Sequence, residues 1–342
     1  MGLLVIRGEL RVSQFWPKGG SDADTAVVEV LLAAKKPFTF VDNQGGRYPT
    51  RVFYNAHVIG RQGPMPVVKF DKKLNADKVN VRLQGIDAPE LHFQPTVKGS
   101  AGKNGKFRQN LGETCAHALY GYLSKLGLER IPCEVLSRVQ KPSDVCDVYG
   151  RVVGNLIIGD IATKIDINHW LIREGWGLPG LYNSMTKNEI RQLLVDHVYA
   201  AERKRGLFKN KYVRRSLVTF NNKQVYAKGS DSFKPYSDKG HVNFPKFFRR
   251  QADHFVRRVV GTPGTPALFL DYVKSKRDDI ALDINAFLKH QGAATDAALK
   301  KRFEQLATFI KAGQYPTGKE LVFWEAESRL VNATSGKPIT KW

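Results

Sequence analysis

The stretch VRLQGIDAPE, at residues 81–90, places an arginine and two carboxylates around the end of an apolar run. Arg82 stands near its start, and Asp87 and Glu90 near its end. A guanidinium can hold two phosphate oxygens at once, and carboxylates can bind a hard divalent cation or orient an attacking water. Cleavage of a phosphodiester bond requires these groups, although a strand-end Asp-Ala-Pro-Glu is by itself more often a turn with solvated acids.

Two further segments carry the same kinds of groups. In DVYGR, Asp147, Tyr149 and Arg151 lie in a loop that enters another apolar run. In SDADT, Asp22 and Asp24 lie in a turn that follows two glycines. The sequence therefore offers a guanidinium and carboxylates twice, with a third, purely acidic segment that provides oxygen ligands.

The spacing within residues 81–90 bears on how these groups are oriented. In a regular strand, Arg82 and Glu90 would project from one face and Asp87 from the other. Pro89 ends ladder pairing and disfavours helix at the residue before it. A bend at this point would turn Asp87 and Glu90 towards a shared site.

The charge balance indicates a polyanionic partner. The 342 residues carry 54 Lys and Arg against 32 Asp and Glu, a net charge of +22, while the apolar content of 42% is ordinary for a globular protein. Such an excess favours nucleic acid first and an anionic membrane surface second. No apolar segment approaches the roughly 18 residues of a membrane span, so we expect no membrane insertion.

Periodicity and turn residues predict the elements that position these groups. The predicted strands are 3–12, 25–32, pieces of 37–80, 131–139, 151–159 and 320–331. The predicted helices are 107–127, 166–177, 186–206, 244–260, 264–290 and 293–312. Thr186 and Glu189 have the spacing of a capping box at the start of the third of these helices.

The segment NFPKFFRRQADHFVRRVVG, residues 243–261, allows two interpretations. Its phenylalanines and arginines would form an aromatic face with basic flanks on a helix. That face could bind the nucleic-acid backbone, or it could pack into a core while the arginines remain solvated. We recognise no family for residues 211–342.

Four segments together resemble the staphylococcal nuclease (thermonuclease) family. They are VRLQGIDAPE, DVYGRVVGNLIIGD, DINHWLIREGWG and HVYAAERKRGLF, in that order, and they span roughly residues 81–210. The resemblance implies an α+β fold, a five-stranded OB-type β-barrel decorated by helices, which commonly handles nucleic acid. It also implies calcium-dependent hydrolysis of DNA or RNA.

The resemblance assigns roles in catalysis and substrate binding by position. Arg82 and Arg151 match the two arginines that hold the phosphoryl group, and the second of these stabilises the transition state. Glu90 matches the glutamate that orients or deprotonates the attacking water. Tyr149 matches a tyrosine near the bound phosphate, and Tyr182 in LPGLYN is the candidate for a tyrosine that stacks on a nucleotide.

The metal ligands implied by the resemblance are less regularly spaced. Asp87 and the backbone carbonyl of Ala88 match two calcium ligands of the family. SDADT resembles the acidic turn that supplies a third, which makes Asp24 the candidate, although it lies 58 residues before the first arginine. Asp71 and Asp77 are rivals for this position.

The domain organisation follows from the resemblance and from a change in composition near residue 210. We expect an OB-type nuclease-like domain over 1–210 with an insertion around 30–75, a linker or extended arm over 211–243, and a basic, mainly helical C-terminal domain over 244–342. The chain has only three cysteines, and so small and odd a number argues against a disulfide framework. MGLLVIRGELRV has no basic region before its apolar run, so we expect a cytoplasmic protein.

Three functions are consistent with the sequence. The first is a calcium-dependent nuclease that acts on DNA or RNA. The second is a nucleic-acid-binding module on the same fold without catalysis, which would show metal-independent binding with steep salt dependence. The third is a membrane-surface or scaffold role for the basic C-terminal half.

Overall fold

The structure is a computed structural model that describes thirteen stretches of the chain. These are residues 2–30, 37–60, 63–72, 75–97, 106–159, 163–182, 184–214, 217–226, 240–275, 280–283, 304–305, 321–323 and 329–342. The chain divides into two compact units. The barrel unit comprises Met1–Gln84, Leu119–Trp170 and Ala326–Trp342, and the helix unit comprises Gly85–Ala118 and Leu171–Glu325.

The strands of the barrel unit form one large sheet and one small one. They are β1 (Gly2–Arg11), β2 (Thr25–Val30), β3 (Phe38–Val41), β4 (Arg47–Pro49), β5 (Ala56–Gly60), β6 (Gly63–Pro66), β7 (Val68–Asp71), β8 (Ala76–Leu83), β10 (Arg130–Val139), β11 (Val152–Ile158), β12 (Ile165–Asp166) and β18 (Arg329–Asn332). The short strand β9 (Ile86–Asp87) belongs to the helix unit.

Five of these strands close into a barrel. Strand β1 pairs with β2 and β10, β2 pairs with β8, and β8 pairs in parallel with β11, which returns to β10. The prediction of a five-stranded OB-type barrel in an α+β chain is confirmed. Because the path closes, none of these five strands presents a free edge around the ring.

Alternating burial along β8 explains how the barrel presents its first arginine. Val79, Val81 and Leu83 are fully buried, as period-2 alternation requires of one face of a strand. Arg82 stands between two of them and projects to the opposite face. The strand that positions this guanidinium is thus fixed by apolar burial of about 1.5–3 kcal/mol for each large side chain.

The predicted insertion around 30–75 contains five short strands in its described part, β3 to β7. Strands β3 and β4 extend the large sheet from β1, and β7 pairs with β8. Strands β5 and β6 form a separate sheet with β18, near the C-terminus of the chain. The predicted strand at 320–331 therefore contains two separate strands, one of which is β18.

The helices are α1 (Gly112–Ser124), α2 (Ile167–Arg173), α3 (Lys187–Glu202), α4 (Pro245–Val259) and α5 (Phe269–Lys274). Helix α3 opens with the capping box that the sequence predicted: the Thr186 hydroxyl accepts from the Glu189 amide at 3.2 Å, and the Glu189 carboxylate accepts from the Thr186 amide at 2.8 Å. Helix α1 is shorter than predicted because Phe107 pairs its backbone with Phe93, in two hydrogen bonds of 2.8 Å.

The remaining strands lie in the helix unit. Strand β9 pairs with β13 (Leu178–Pro179), and a second sheet joins β14 (Leu181–Tyr182), β17 (Leu321–Phe323), β15 (Ile280–Asp283) and β16 (Glu304–Gln305). The predicted helices at 264–290 and 293–312 are therefore wrong at β15 and β16. Backbone pairing between distant segments decides these strands, and helical periodicity in one segment does not reveal it. Most of 293–312 lies outside the described residues.

Helix α4 packs its apolar side into a core of the helix unit. Phe248, Ala252 and Val256 form a buried cluster with Val97 and Phe107. Of the two interpretations of residues 243–261, packing into a core is therefore the one that describes Phe248. Part of the predicted arm at 211–243, namely residues 215–216 and 227–239, lies outside the described residues.

The described part of the chain contains no helix with the length and apolar composition that crossing a membrane requires.

Candidate functional site

The barrel unit brings Arg82 next to Asp24. The register of β2 against β8 pairs Thr25 with Arg82, and the Leu83 amide donates to the Asp24 carbonyl at 3.0 Å. The Arg82 guanidinium forms an ion pair with the Asp24 carboxylate, and the two side chains are only 13% and 7% exposed. Strand pairing therefore places Asp24 beside Arg82, although the two residues are 58 positions apart in the sequence. Of the two rivals, Asp71 is instead paired with Lys78.

The DVYGR loop is organised around the Asp147 carboxylate. One oxygen accepts from the amides of Tyr149 at 2.9 Å and Arg151 at 3.0 Å, and the other accepts from the Arg151 side chain at 2.7 Å. The Arg151 guanidinium also lies 5.4 Å from the centre of the Tyr149 ring, within cation–π range. Asp147 thus holds the guanidinium in place, and Tyr149 remains about half exposed.

Cys146, next to this aspartate, is fully buried, and burial raises the pKa of its thiol far above the usual range, with the Asp147 charge adding to the shift. The thiol therefore stays protonated at neutral pH, and a low-pKa nucleophile is excluded at this position.

Arg82 lies on β8, and Arg151 directly precedes β11, the strand that pairs with β8 in parallel. The register of these two strands pairs Val81 with Val152 and Arg82 with Val153. Arg151 is therefore two positions before the partner of Arg82. Two guanidinium groups this close on adjacent strands are suited to a shared anion.

In the helix unit, one guanidinium holds both candidate carboxylates. Arg249, on α4, donates to the two oxygens of Asp87 at 3.1 Å each. The same side chain forms an ion pair with Glu90. The exposed fractions are 3% for Asp87, 13% for Glu90 and 26% for Arg249. A nearly buried aspartate and its neighbouring glutamate therefore share a bidentate, charge-assisted partner.

The backbone of Glu90 is fixed separately from its side chain. The Gln109 side-chain oxygen accepts from the Glu90 backbone amide at 3.2 Å, and the Gln109 backbone amide donates to the Glu90 carbonyl at 2.8 Å. Gly112, the first residue of α1, approaches the same carbonyl so closely that a Cβ would lie 2.4 Å from it. Helix α1 thus begins against the candidate general base.

A turn at Gln84 and Gly85 separates the arginine from the carboxylates. The single strand considered over residues 81–90 ends at Leu83, so the argument from alternating faces does not extend to Asp87 and Glu90. Gly85 has φ of +75°, in the left-handed region that favours glycine.

Gly85→Ala should destabilise the fold by about 2 kcal/mol or more, because the left-handed backbone is strained for alanine and the core is overpacked there. An alanine Cβ would lie 2.4 Å from a Leu193 methyl carbon and 2.9 Å from a Met185 methyl carbon. Urea unfolding measures the effect, with Gly121→Ala as the control, since nothing lies within 4 Å of a Cβ there. Equal stability of the two variants would contradict the strain argument.

Ala88 directly follows Asp87 in the sequence. Tyr182 lies shortly after the strand that pairs with Asp87. Strand β13 pairs Leu178 with Asp87, and the Gly180 amide donates to the Gly85 carbonyl at 2.9 Å. Tyr182 follows two residues later in β14 and is half-buried. The helix unit thus places Leu178, Pro179 and Gly180 beside β9.

A comparison with protein families matches part of the chain. Residues 80–210 match the family model of the Staphylococcal nuclease homologues. The resemblance predicted over residues 81–210 is therefore confirmed. No curated protein was found to match the chain.

The staphylococcal nuclease homologue match points to a nuclease-type or nucleic-acid-binding function. It covers the segments that contain Arg82, Glu90 and Arg151. Asp24 and Arg249, which contact candidate site residues in their respective units, lie outside it. The chain therefore adds contacts of its own to the matched domain.

The candidate ligands have the oxygen donors that calcium prefers, but the same oxygens are already paired with arginines. Carboxylate and carbonyl oxygens are the donors that calcium prefers. However, both oxygens of Asp87 accept from Arg249, and the Asp24 carboxylate is paired with Arg82. Over the described stretches, His, Cys, Asp and Glu form no group of three or more that could hold a metal. As the side chains stand, they do not fit calcium.

Sequence reasoning missed two residues that contact the candidate site residues. Gln109 fixes the Glu90 backbone, and Arg249 bridges Asp87 and Glu90. The sequence did single out Asp147, and its spacing, four residues before Arg151, was a usable signal for the ion pair that the structure shows. Nothing in the sequence pattern connects Arg249 with residues some 160 positions earlier.

Proposed function

We propose that the chain is a nuclease that hydrolyses phosphodiester bonds of DNA or RNA. The observation that carries this proposal is the pair of arginines at two adjacent parallel strands of the barrel, Arg82 and Arg151, in a segment matched to nuclease homologues. The net charge of +22 supports a polyanionic substrate.

In the proposed mechanism the arginines stabilise charge and the glutamate moves a proton. Arg82 and Arg151 hold the phosphoryl oxygens, on which negative charge grows in the transition state, and such preorganised stabilisation is often the largest catalytic contribution. Glu90 takes a proton from the attacking water. Tyr149 and Tyr182 contact the phosphate end and a base of the substrate.

Calcium dependence and cytoplasmic location are separate proposals. The resemblance supports calcium, with Asp24, Asp87 and the Ala88 carbonyl as its oxygen ligands, and bound calcium would supply positive charge beside the scissile phosphate. The odd, sparse set of three cysteines supports a reducing compartment.

A nucleic-acid-binding module without catalysis is the second candidate. The pairing of Glu90 with Arg249 favours it, because a carboxylate engaged by a guanidinium is a poorer proton acceptor. Such a module would bind nucleic acid without a divalent metal, and its affinity would fall steeply with salt.

Cleavage of end-labelled single-stranded and double-stranded DNA and RNA by the purified chain separates the two candidates. We expect cleavage with calcium and none with chelator. Cleavage that survives chelation would retain the nuclease and reject calcium. Salt-dependent binding of the same strands without cleavage under calcium, magnesium or manganese would reject the nuclease and leave the binding module.

Arg151→Lys should lower the cleavage rate by about 100-fold or more, because lysine keeps the charge but cannot hold two phosphoryl oxygens in a planar fork. Lysine can still pair with Asp147, so the thermal midpoint should change little. Arg138→Lys, on the neighbouring strand β10, is the matched control. A cleavage rate equal to that of the unmodified chain would remove Arg151 from the proposed mechanism.

A further inference from the structure

One guanidinium contacts both Asp87 and Glu90, and a cation between two carboxylates offsets their mutual repulsion. Asp87 is 3% exposed and Glu90 is 13% exposed, so water screens their repulsion poorly. A divalent metal is one solution, and a guanidinium is another. In this chain Arg249 provides the second, with two hydrogen bonds to Asp87 and an ion pair with Glu90.

We propose that Arg249 is a built-in cation that occupies the metal position at Asp87, engages the neighbouring Glu90, and competes with calcium for Asp87. The proposal rests on the proposed function only in assigning these carboxylates to the nuclease site. It assigns regulation of that site to a residue of α4, outside the matched residues 80–210. Calcium binds at Asp87 only when the guanidinium has left.

The packing of α4 makes Arg249 an effective competitor. Phe248, the preceding residue, is buried in the cluster that includes Ala252 and Val256. On the same helix, Phe247 is fully buried. Because these contacts fix the helix, the guanidinium is presented to the carboxylates at a small cost in side-chain entropy. A cation from solution must displace a preorganised, bidentate partner.

The competition predicts weak calcium binding in the unmodified chain. At low calcium the guanidinium neutralises Asp87 and Glu90, and the proposed general base is engaged in an ion pair. At high calcium the metal takes the carboxylates and Arg249 turns to solvent or to a substrate phosphate, which it can hold in the same bidentate manner. The site is therefore latent until calcium exceeds a threshold set by this contact.

Calcium titration by calorimetry, on the full chain without nucleic acid, tests the competition. Arg249→Gln should bind calcium about tenfold more tightly or better than the unmodified chain, since a competing charge-assisted contact has been removed. Arg258→Gln, at an exposed position of the same helix, removes one charge without touching the carboxylates and should leave the affinity unchanged. Affinity in Arg249→Gln that is equal or weaker overturns the proposal.

Arg249→Lys covers the case in which the glutamine variant fails to fold. Lysine preserves the positive charge but cannot span the oxygens of both carboxylates. We expect calcium affinity about threefold or more above that of the unmodified chain, because the remaining cation competes less well. Equal affinity in the folded lysine variant overturns the proposal. The proposal is also overturned if the folded Arg249 variants bind no calcium at about 10 mM, a concentration above the range of weak protein sites. Neither titration depends on cleavage, so failure of the nuclease proposal would leave these results readable.

Discussion

Replacing Glu90 with glutamine should lower the rate of phosphodiester cleavage by about 10²–10⁴-fold, the usual contribution of a positioned general base. Glutamine has nearly the same shape but cannot take a proton from water. The loss should lie in the rate constant for cleavage, and binding of the nucleic acid should change far less, because the arginines proposed to hold the phosphate are retained. Single-turnover cleavage with calcium measures the effect.

The structure indicates that this variant folds. Gln109 holds Glu90 through backbone groups, which the substitution does not change. Arg249 keeps both hydrogen bonds to Asp87, so the buried aspartate remains compensated. Circular dichroism and the thermal midpoint provide the control. A folded variant that cleaves at the unmodified rate would show that another residue activates the water.

The sequence predicts most strands of the barrel, but it does not by itself predict the position of Asp24. Alternating apolar residues predicted strands 3–12, 25–32, 131–139 and 151–159. These form the ring together with β8, because burial on one face determines the register. Once β2 pairs with β8, Asp24 must lie beside Arg82. The sequence proposed this aspartate from resemblance, but the pairing that brings it there depends on closure of the whole barrel.

The rest of the candidate site depends on contacts that no local pattern encodes. The turn at Gly85 interrupts a segment that otherwise has the composition of one strand. Arg249 has the pattern of a solvated arginine on an amphipathic helix, and only the packing of α4 directs it to Asp87. Likewise, the strand Ile280–Asp283 forms through pairing with β16 and β17, which overrides the helical preference expected over 264–290.

Asn168→Ala should destabilise the barrel unit by about 3–5 kcal/mol, the largest stability effect that we expect from a single polar side chain here. Asn168 is fully buried at the start of α2. Its side-chain amide donates to the carbonyls of Gln84 at 2.8 Å and Gly154 at 3.2 Å, and its oxygen accepts from the Leu156 amide at 3.0 Å. Alanine would remove a partner from three backbone groups in a site closed to water.

These three contacts join the two strands that carry the candidate arginines. Gln84 lies two residues after Arg82, and Gly154 lies three residues after Arg151. Loss of the Asn168 amide should therefore loosen the pairing of β8 with β11 beside the two arginines, so cleavage should fall even at temperatures where the variant remains folded. On the proposed mechanism, one buried asparagine would thus link the stability of the barrel to the geometry of phosphate binding.

Urea unfolding of Asn168→Ala, beside Asn155→Ala, tests this link. Asn155 is half-buried and makes one side-chain hydrogen bond, to Asp166 at 2.8 Å, so its loss should cost about 1 kcal/mol. If the free energy of unfolding falls by the same small amount in both variants, the three backbone contacts contribute no more than an ordinary hydrogen bond. A larger loss for Asn168→Ala, accompanied by weaker phosphate binding at low urea, would show that the residue supports the position of the two arginines as well as the fold. Asn168→Asp refines the cause, because a carboxylate can still accept from Leu156 but cannot donate to the two carbonyls.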